Sequence, residues 1–381
     1  MFRSRPFDHP VPRSPGAALA PWARLTLAVA LLLAALAPPS GTTRAAASPT
    51  LQLITEHDAG VAPLVAFIAA ARHTLDGEIY LLTDRDVEAA LDAAAVRGVT
   101  VRINLDPHPF GTARSVVRRA YAALATHGIQ VRYTSPAYVF THAKYIISDD
   151  DSAWIGTMNW SASAFRSNRE FAIVDRDPTA VAQAAAIFAA DWVHAPPAVQ
   201  PTALVVSPLN ARGTLAALIA GARRTLDVYA EEVNDPAMSA DLIAAVDRGV
   251  RVRLVTTVED AIGALATALP TVRRDRALYI HGKALIVDAG LPDARLFLGS
   301  ENLSAGSLDR NRELGLVASD PAIIGPVERT FAADLAAIGG AAGGAPAAAA
   351  TPSAPTAAVP SGPSGTVGVL VRLNSLLHTP M

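Results

Sequence analysis

Apolar and polar positions recur in the same order twice along the chain. The stretch that opens at Thr74-Leu75-Asp76 and reaches Arg97-Gly98-Val99-Thr100-Val101-Arg102 returns as Thr225-Leu226-Asp227 through Arg248-Gly249-Val250-Arg251-Val252-Arg253, at a constant offset of 151. Each copy predicts strand, helix and strand. Gly98 and Gly249 stand where a helix C-cap is expected, and β-branched alternation at a period of two follows. Further on, His142 matches His281 at an offset of 139, so the segment before it is twelve residues shorter in the second copy. The Pro-rich run 194–201 connects the copies. This places one repeat at about 50–196 and the other at about 202–338. A duplicated α/β unit of this size predicts two similar halves related by a pseudo-twofold axis.

The flanks read differently. Arg3, Arg5, Arg13 and Arg24 precede an apolar run from Leu25 to Ala37 that Pro38 and Pro39 stop, and Ala45-Ala46-Ala47 follows as a small-residue cleavage pattern. Residues 1–47 therefore read as a secretory signal peptide. The run is well short of the ~20 residues that span a bilayer, and the long basic lead keeps an uncleaved anchor as the alternative. From residue 339 to 381 the chain reads as an Ala/Pro/Gly-rich, flexible tail.

Composition narrows the chemistry. No cysteine is present, which excludes disulfides, thiolate metal sites and a cysteine nucleophile. Removing residues 1–47 takes away five of 32 basic and one of 34 acidic side chains, leaving a net charge near −6. A protein that tracks nucleic-acid backbones usually shows a basic footprint, so the balance leans toward a lipid or small phosphodiester. His57, His73, His108, His127 and His194 show no metal-like spacing.

The chemistry-bearing text is doubled. His142-Ala143-Lys144, ending at Asp149, is followed by Gly156-Thr157-Met158-Asn159 and Asn168-Arg169-Glu170. His281-Gly282-Lys283, ending at Asp288, is followed by Gly299-Ser300-Glu301-Asn302 and Asn311-Arg312-Glu313. Alternation along a strand puts His142 with Lys144, and His281 with Lys283, on one face. Asp149 and Asp288 fall on the opposite parity and read as structural, holding a turn or a backbone donor. Asn159 and Asn302 are expected on the following antiparallel strand, returned beside the histidines. Arg169 and Arg312 are expected in surface or interdomain pairs. Ser135 to Phe140 reads as buried strand, with contact to an acyl chain or headgroup as the alternative.

The lysines add weight. Lys144 and Lys283 are the only two in the chain, against thirty arginines. A chain so biased toward Arg keeps Lys where a compact point charge is required rather than a planar fork.

These paired motifs resemble the phospholipase D superfamily, whose signature is His-x-Lys-x-x-x-x-Asp followed by Gly-Ser/Thr-x-Asn. The resemblance covers roughly residues 50–335. It implies two tandem αβα sandwich repeats whose motifs meet across the pseudo-twofold axis in one shared active site, and metal-independent, cofactor-free chemistry through a phosphohistidine. His142 would then be the nucleophile and His281 the general acid. Lys144, Lys283, Asn159 and Asn302 would hold the non-bridging oxygens. Glu170 and Glu313 are candidates to hydrogen-bond the distal histidine nitrogens, and Gly156, Gly299, Thr157 and Ser300 complete the motifs structurally. The expected activity is phospholipase D-type hydrolysis of phosphatidylcholine-like lipids by an exported monomer at a membrane surface. A nuclease or a cardiolipin synthase-type phosphatidyltransferase of the same superfamily is the alternative.

Overall fold

The computed structural model describes residues 50–257, 265–269, 271–274 and 277–341. The signal-peptide reading of residues 1–47 and nearly all of the tail reading lie outside them.

The first repeat builds β1 (Leu51–Glu56), α1 (Ala62–Ala70), β2 (Thr74–Ile79), α2 (Arg85–Val96), β3 (Thr100–Leu105), α3 (Arg114–Thr126), β4 (Gln130–Tyr133), β5 (Lys144–Ser148), β6 (Ser152–Gly156), α4 (Ala162–Arg166), β7 (Asn168–Asp175) and α5 (Pro178–Trp192). The second builds β8 (Leu204–Ser207), α6 (Ala211–Gly221), β9 (Thr225–Tyr229), α7 (Pro236–Asp247), β10 (Arg251–Thr256), α8 (Leu265–Ala268), β11 (Thr271–Arg274), β12 (Tyr279–Ile280), β13 (Ala284–Val287), β14 (Arg295–Gly299), α9 (Ala305–Asp309), β15 (Glu313–Ala318) and α10 (Pro321–Ala341). The helix α10 carries three residues past 338, where the sequence reading starts the tail.

Both sheets have the same order. One runs β1-β7-β6-β5-β2-β3-β4 and the other, in corresponding sequence, β8-β15-β14-β13-β9-β10-β11. In each, β2–β3–β4 or β9–β10–β11 is parallel and the remaining pairs are antiparallel. The doubled text explains why. Asp84 and Asp235, 151 apart, cap α2 and α7 by accepting from the amides two and three residues on. Gly98 (φ +92°) and Gly249 (φ +86°) end those helices in the left-handed region. The shared Asp and Arg of the repeat text lie opposite each other on neighbouring strands and pair, Arg102 with Asp76 and Arg253 with Asp227, each at 2.6 Å from Nε.

Period-two burial sets the layers. Tyr145 and Ile147 face a core shared by both repeats, together with Ala284 and Ile286 from β13. Ile146 faces the first repeat's own outer core, under α1 and α2, and Leu285 and Val287 face the second's. The shared core is filled by α5 and α10 side chains such as Ile187, Phe188, Val327 and Phe331. Each sheet is thus covered on both faces, as the αβα reading requires.

Two buried arginines tie the repeats together. Arg312 is 0% exposed; it donates from Nε to Asp191 of α5 at 2.7 Å and from Nη1 to the Ser207 carbonyl at 2.7 Å, and it also bonds the Tyr138 hydroxyl. Arg169 reaches Asp334 of α10 through Nε (2.8 Å) and Nη2 (2.9 Å) and the Glu56 carbonyl through Nη1 (2.7 Å). Of the two sequence expectations, the interdomain pair is what both arginines form, and Arg169 also reaches the exposed Asp58 at 3.4 Å. The forked guanidinium satisfies a carboxylate and a carbonyl together, which makes its burial tolerable.

Removing one partner of such a pair strands the other. Arg312→Met is expected to cost about 3–5 kcal/mol in denaturant unfolding, and Arg312→Met with Asp191→Leu is expected to recover most of that loss.

Candidate active site

The motifs do not lie wholly on their strands. β5 begins at Lys144 and β13 at Ala284, so each histidine precedes its strand. It sits on an extended lead-in that pairs with the other repeat. His142 and Ala143 donate their amides to the Arg312 carbonyl at 2.8 and 3.0 Å, and His281 and Gly282 donate theirs to the Arg169 carbonyl at 3.2 and 2.8 Å. Tyr279–Ile280 pair in parallel with Asn168–Arg169, and Thr141 bridges Arg312 in the same sense. Each lead-in is therefore an added strand on the edge that carries the other repeat's glutamate.

That register crosses the side chains. His142 Nδ1 lies 2.9 Å from Glu313, and His281 Nδ1 lies 2.8 Å from Glu170. Both glutamates are fully buried. Burial pushes the Glu170 carboxyl up, but His281, Lys283 and the Thr157 hydroxyl outweigh it and hold it below the usual carboxylate range. Glu313 is held down in the same way by His142, Lys144 and the Ser307 hydroxyl. An ionised glutamate on Nδ1 fixes the hydrogen there, and at His142 it leaves Nε2 with its lone pair.

Supporting donors aim the glutamates. Thr157 Oγ1 donates to Glu170 at 2.6 Å and Asn168 Nδ2 reaches it at 3.3 Å. Ser307 Oγ donates to Glu313 at 2.6 Å and Asn311 Nδ2 reaches it at 3.2 Å. Ser300, equivalent to Thr157, accepts instead from the Leu314 amide at 3.0 Å. Gly299 and Gly315 leave no room for a Cβ: one added at Gly299 would meet the Gly315 Cα at 2.5 Å. At Gly156 a Cβ would meet its nearest neighbour, the Trp154 indole nitrogen, at 3.3 Å, so this packing is looser.

The lysines are buried beneath the histidines, each 1% exposed. Lys283 Nζ donates to the His281 carbonyl at 2.6 Å, and Lys144 makes the same bond to the His142 carbonyl. A short unbranched ammonium turns back on its own motif and still has N–H groups to offer. Burial pushes the Lys144 ammonium down to about 7, with Glu313 opposing. Burial likewise takes the His142 imidazole down to about 4, against the pull of Glu313. His142 is consequently neutral at neutral pH, as a nitrogen nucleophile must be.

Asn159 and Asn302 lie beyond the ends of β6 and β14, in the turns before α4 and α9, rather than on the strands. Their side-chain oxygens are buried without a protein partner. The strands stop early because Thr157 and Ser300 turn their hydroxyls onto the β7 and β15 amides.

Asp149 and Asp288 point away from this cluster, onto backbone. Asp149 accepts from the amides of Arg72, His73 and Thr74 at 2.7–2.9 Å, and Asp288 from those of Arg223, Arg224 and Thr225 at 2.6–2.9 Å. Each stands just past its strand with φ near +50°. The chain's turn into the left-handed region directs them, not alternation along a continued strand.

Several residues around the site were not legible as functional. Tyr80 packs edge-on against His142 with ring centroids 4.6 Å apart, and its ring lies 5.0 Å from Lys144 Nζ. At the equivalent place, 151 residues on, stands Glu231, 2.8 Å from Lys283 Nζ. Tyr279 stacks on His281 with its hydroxyl 2.8 Å from Glu231. The repeat offset pairs positions 80 and 231, but their side chains differ, and a search for identities passes over them. Glu301 is a buried carboxyl pushed well above its usual range by burial and by Glu313. Ser135 to Phe140 forms turns rather than buried strand: Val139 is 58% exposed and Tyr138 is drawn to Arg312.

Two outcomes follow from this electrostatics. The Asp149 carboxyl is held below its ordinary value because its three backbone amides outweigh the burial that raises it. Its contribution is present above the unfolded-state value and is lost as pH falls through the depressed folded value. Asp149→Asn is expected to lower stability at neutral pH by about 2 kcal/mol, with the difference closing in acid in pH-dependent thermal unfolding. With His142 as the nucleophile that the motif resemblance implies, the acid limb of kcat/KM is expected to fall as pH drops through about 4, read from a pH–rate profile.

Comparison with known proteins agrees with this geometry. The family described as "Cardiolipin synthase, PLD-like domain" matches residues 64–192 and 215–335. The "Mitochondrial cardiolipin hydrolase" of Danio rerio is 27% identical over 135 residues, 35% of this chain and 58% of that one. "Cardiolipin synthase A" of Pseudomonas aeruginosa is 31% identical over 116 residues, 30% of this chain and 23% of that one. The matches therefore span little more than half of the first relative and under a quarter of the second. Among solved structures, the phosphatidylserine synthase of Haemophilus influenzae superposes with a TM-score of 0.56 at 11% identity over 76% of this chain and 86% of that one, a likeness of fold. With both repeats matched and both motifs crossed into one site, the chain belongs to the phospholipase D-like domain family.

Proposed function

We propose that the protein is a phospholipase D-type phosphodiesterase that removes the headgroup from a phosphatidylcholine-like phospholipid. The crossed pairs His142–Glu313 and His281–Glu170 carry this reading, because they make one two-histidine site from two repeats. His142 Nε2 attacks phosphorus and the P–O bond to the headgroup breaks, with His281 giving its proton to the departing oxygen. Water then attacks the phosphohistidine; its proton passes to His281 and the P–N bond breaks. Lys144 and Lys283 hold the non-bridging oxygens, where negative charge grows in the transition state.

The lipid assignment has its own support. Phe110, Val139 and Tyr279 are among the most exposed large apolar side chains of the described residues. All three sit on segments that feed the site: the Phe110 amide donates to the Tyr80 hydroxyl, Val139 lies three residues before His142, and Tyr279 lies two before His281. Apolar side chains around a polar site suit entry from a membrane interface. The acidic balance of the chain speaks against a nucleic-acid backbone. Among the described residues no helix is long and apolar enough to cross a membrane, and export is proposed on the sequence of residues 1–47 alone. Transfer to an alcohol in place of water is the second reading, favoured by the synthases among the relatives.

The test is cleavage of phosphatidylcholine vesicles and of single- and double-stranded DNA, each with and without EDTA. Vesicle hydrolysis that survives EDTA is expected, and His142→Ala and His281→Ala should each lower it by about a thousandfold or more. DNA cleavage with inert vesicles would overturn the lipid assignment.

A further inference from the structure

The two halves of the site share their histidines, lysines, asparagines and glutamates, and differ in what stands beside each histidine and lysine. Where the first repeat sets the ring of Tyr80 beside its histidine and lysine, the second sets the carboxylate of Glu231. Glu231 Oε2 lies 2.8 Å from Lys283 Nζ and 3.5 Å from His281 Nε2, and Oε1 accepts from the Tyr279 hydroxyl at 2.8 Å. The groups that face it are thus Tyr279 from β12, His281 and Lys283 from the lead-in to β13, and Glu170 from β7 on the far side of the His281 ring. From the first repeat, Lys144 and Tyr80 lie within its electrostatic reach.

This exchange makes the histidines unlike. His281 has a carboxylate at each ring nitrogen, Glu170 at Nδ1 and Glu231 at Nε2. The Glu170 contact is a hydrogen bond and the Glu231 contact, at 3.5 Å, an ion-pair distance; negative charge on both sides favours an imidazole that carries hydrogen on both nitrogens. His142 has one carboxylate, Glu313, and among the described residues its other side meets the edge of an aromatic ring. The Glu231 carboxylate is itself ionised: burial raises it, but His281, Lys283 and Tyr279 outweigh that and hold it well below its usual range. Lys283 spends one N–H on the His281 carbonyl and one on Glu231, which leaves a third for a substrate oxygen.

We propose that Glu231 is the positioning residue that breaks the twofold equivalence of the site, keeping His281 as the proton donor and leaving His142 to attack phosphorus. The proposal deepens the phosphodiesterase reading and rests on it for its mechanistic meaning. In the first step the proton on His281 Nε2 goes to the leaving oxygen, and Glu231 is the nearest carboxylate to that nitrogen when the water-derived proton returns.

The experiment is imidazole nitrogen NMR on the full chain carrying labelled histidine, with His142→Ala and His281→Ala used to assign the two rings. In Glu231→Gln, the His281 ring-nitrogen signals at fixed pH are expected to move toward those of a ring with one N–H, while the His142 signals stay in place. Glu231→Asp is expected to restore most of the difference. The reciprocal Tyr80→Glu is expected to raise the pH at which His142 takes up a proton, which gives a second reading should Glu231→Gln fail to fold. Unmoved His281 signals in folded Glu231→Gln, or unmoved His142 signals in folded Tyr80→Glu, would overturn the proposal. Because NMR needs no turnover, it stands apart from the substrate question. Bis(p-nitrophenyl) phosphate cleavage by Glu231→Gln is expected to fall together with the change in the His281 signals. A shifted ring with no phosphodiesterase activity would count against the function reading and not against the charge role of Glu231.

Discussion

Each motif histidine takes its orienting carboxylate from the other repeat, and the rest of the structure serves that exchange. The lead-in to each motif pairs with the strand edge bearing the partner glutamate, so backbone register and side-chain hydrogen bond are set together. Neither repeat contains a complete site. The buried Arg169–Asp334 and Arg312–Asp191 pairs lie next to the same two glutamates in sequence and lock the same interface. A slip between the repeats would separate the catalytic pairs and strand buried charges at once.

Burial gives this arrangement its chemistry. Lys144 and Lys283 are withdrawn from water almost completely, and only nearby carboxylates and carbonyls make that tolerable. In such surroundings an arriving phosphate meets preorganised donors rather than solvent. Desolvation also keeps His142 neutral, whereas an exposed imidazole would spend part of its time protonated at mildly acidic pH.

The duplication supplies symmetry, and the reaction needs asymmetry. Most of the pairs repeat faithfully: Asp84 and Asp235 as caps, Asp149 and Asp288 on backbone amides, Arg102 and Arg253 on their aspartates. The departures cluster at the site, where Tyr80 stands opposite Glu231, and where Ser307 rather than Ser300 holds Glu313 as Thr157 holds Glu170. A duplicated fold can thus separate an attacking from a donating histidine by changing few side chains.

The sequence by itself determined the local and the repeated. Turn and cap residues announce their conformation through short-range sterics and hydrogen bonds, so Gly98 and Gly249 were legible as helix ends. Two identical motifs in register, with Lys144 and Lys283 as the only lysines, marked the site because their identity recurs. What only the tertiary structure decided was which half supplies which partner. A glutamate 111 or 171 residues from its histidine carries no local sign of it, because the pairing depends on how two sheets close on a shared core. The placement of Arg169 and Arg312 in the interior depended on that closure too. So did the role of Glu231: repetition reveals positions that match, whereas its effect comes from a position that does not.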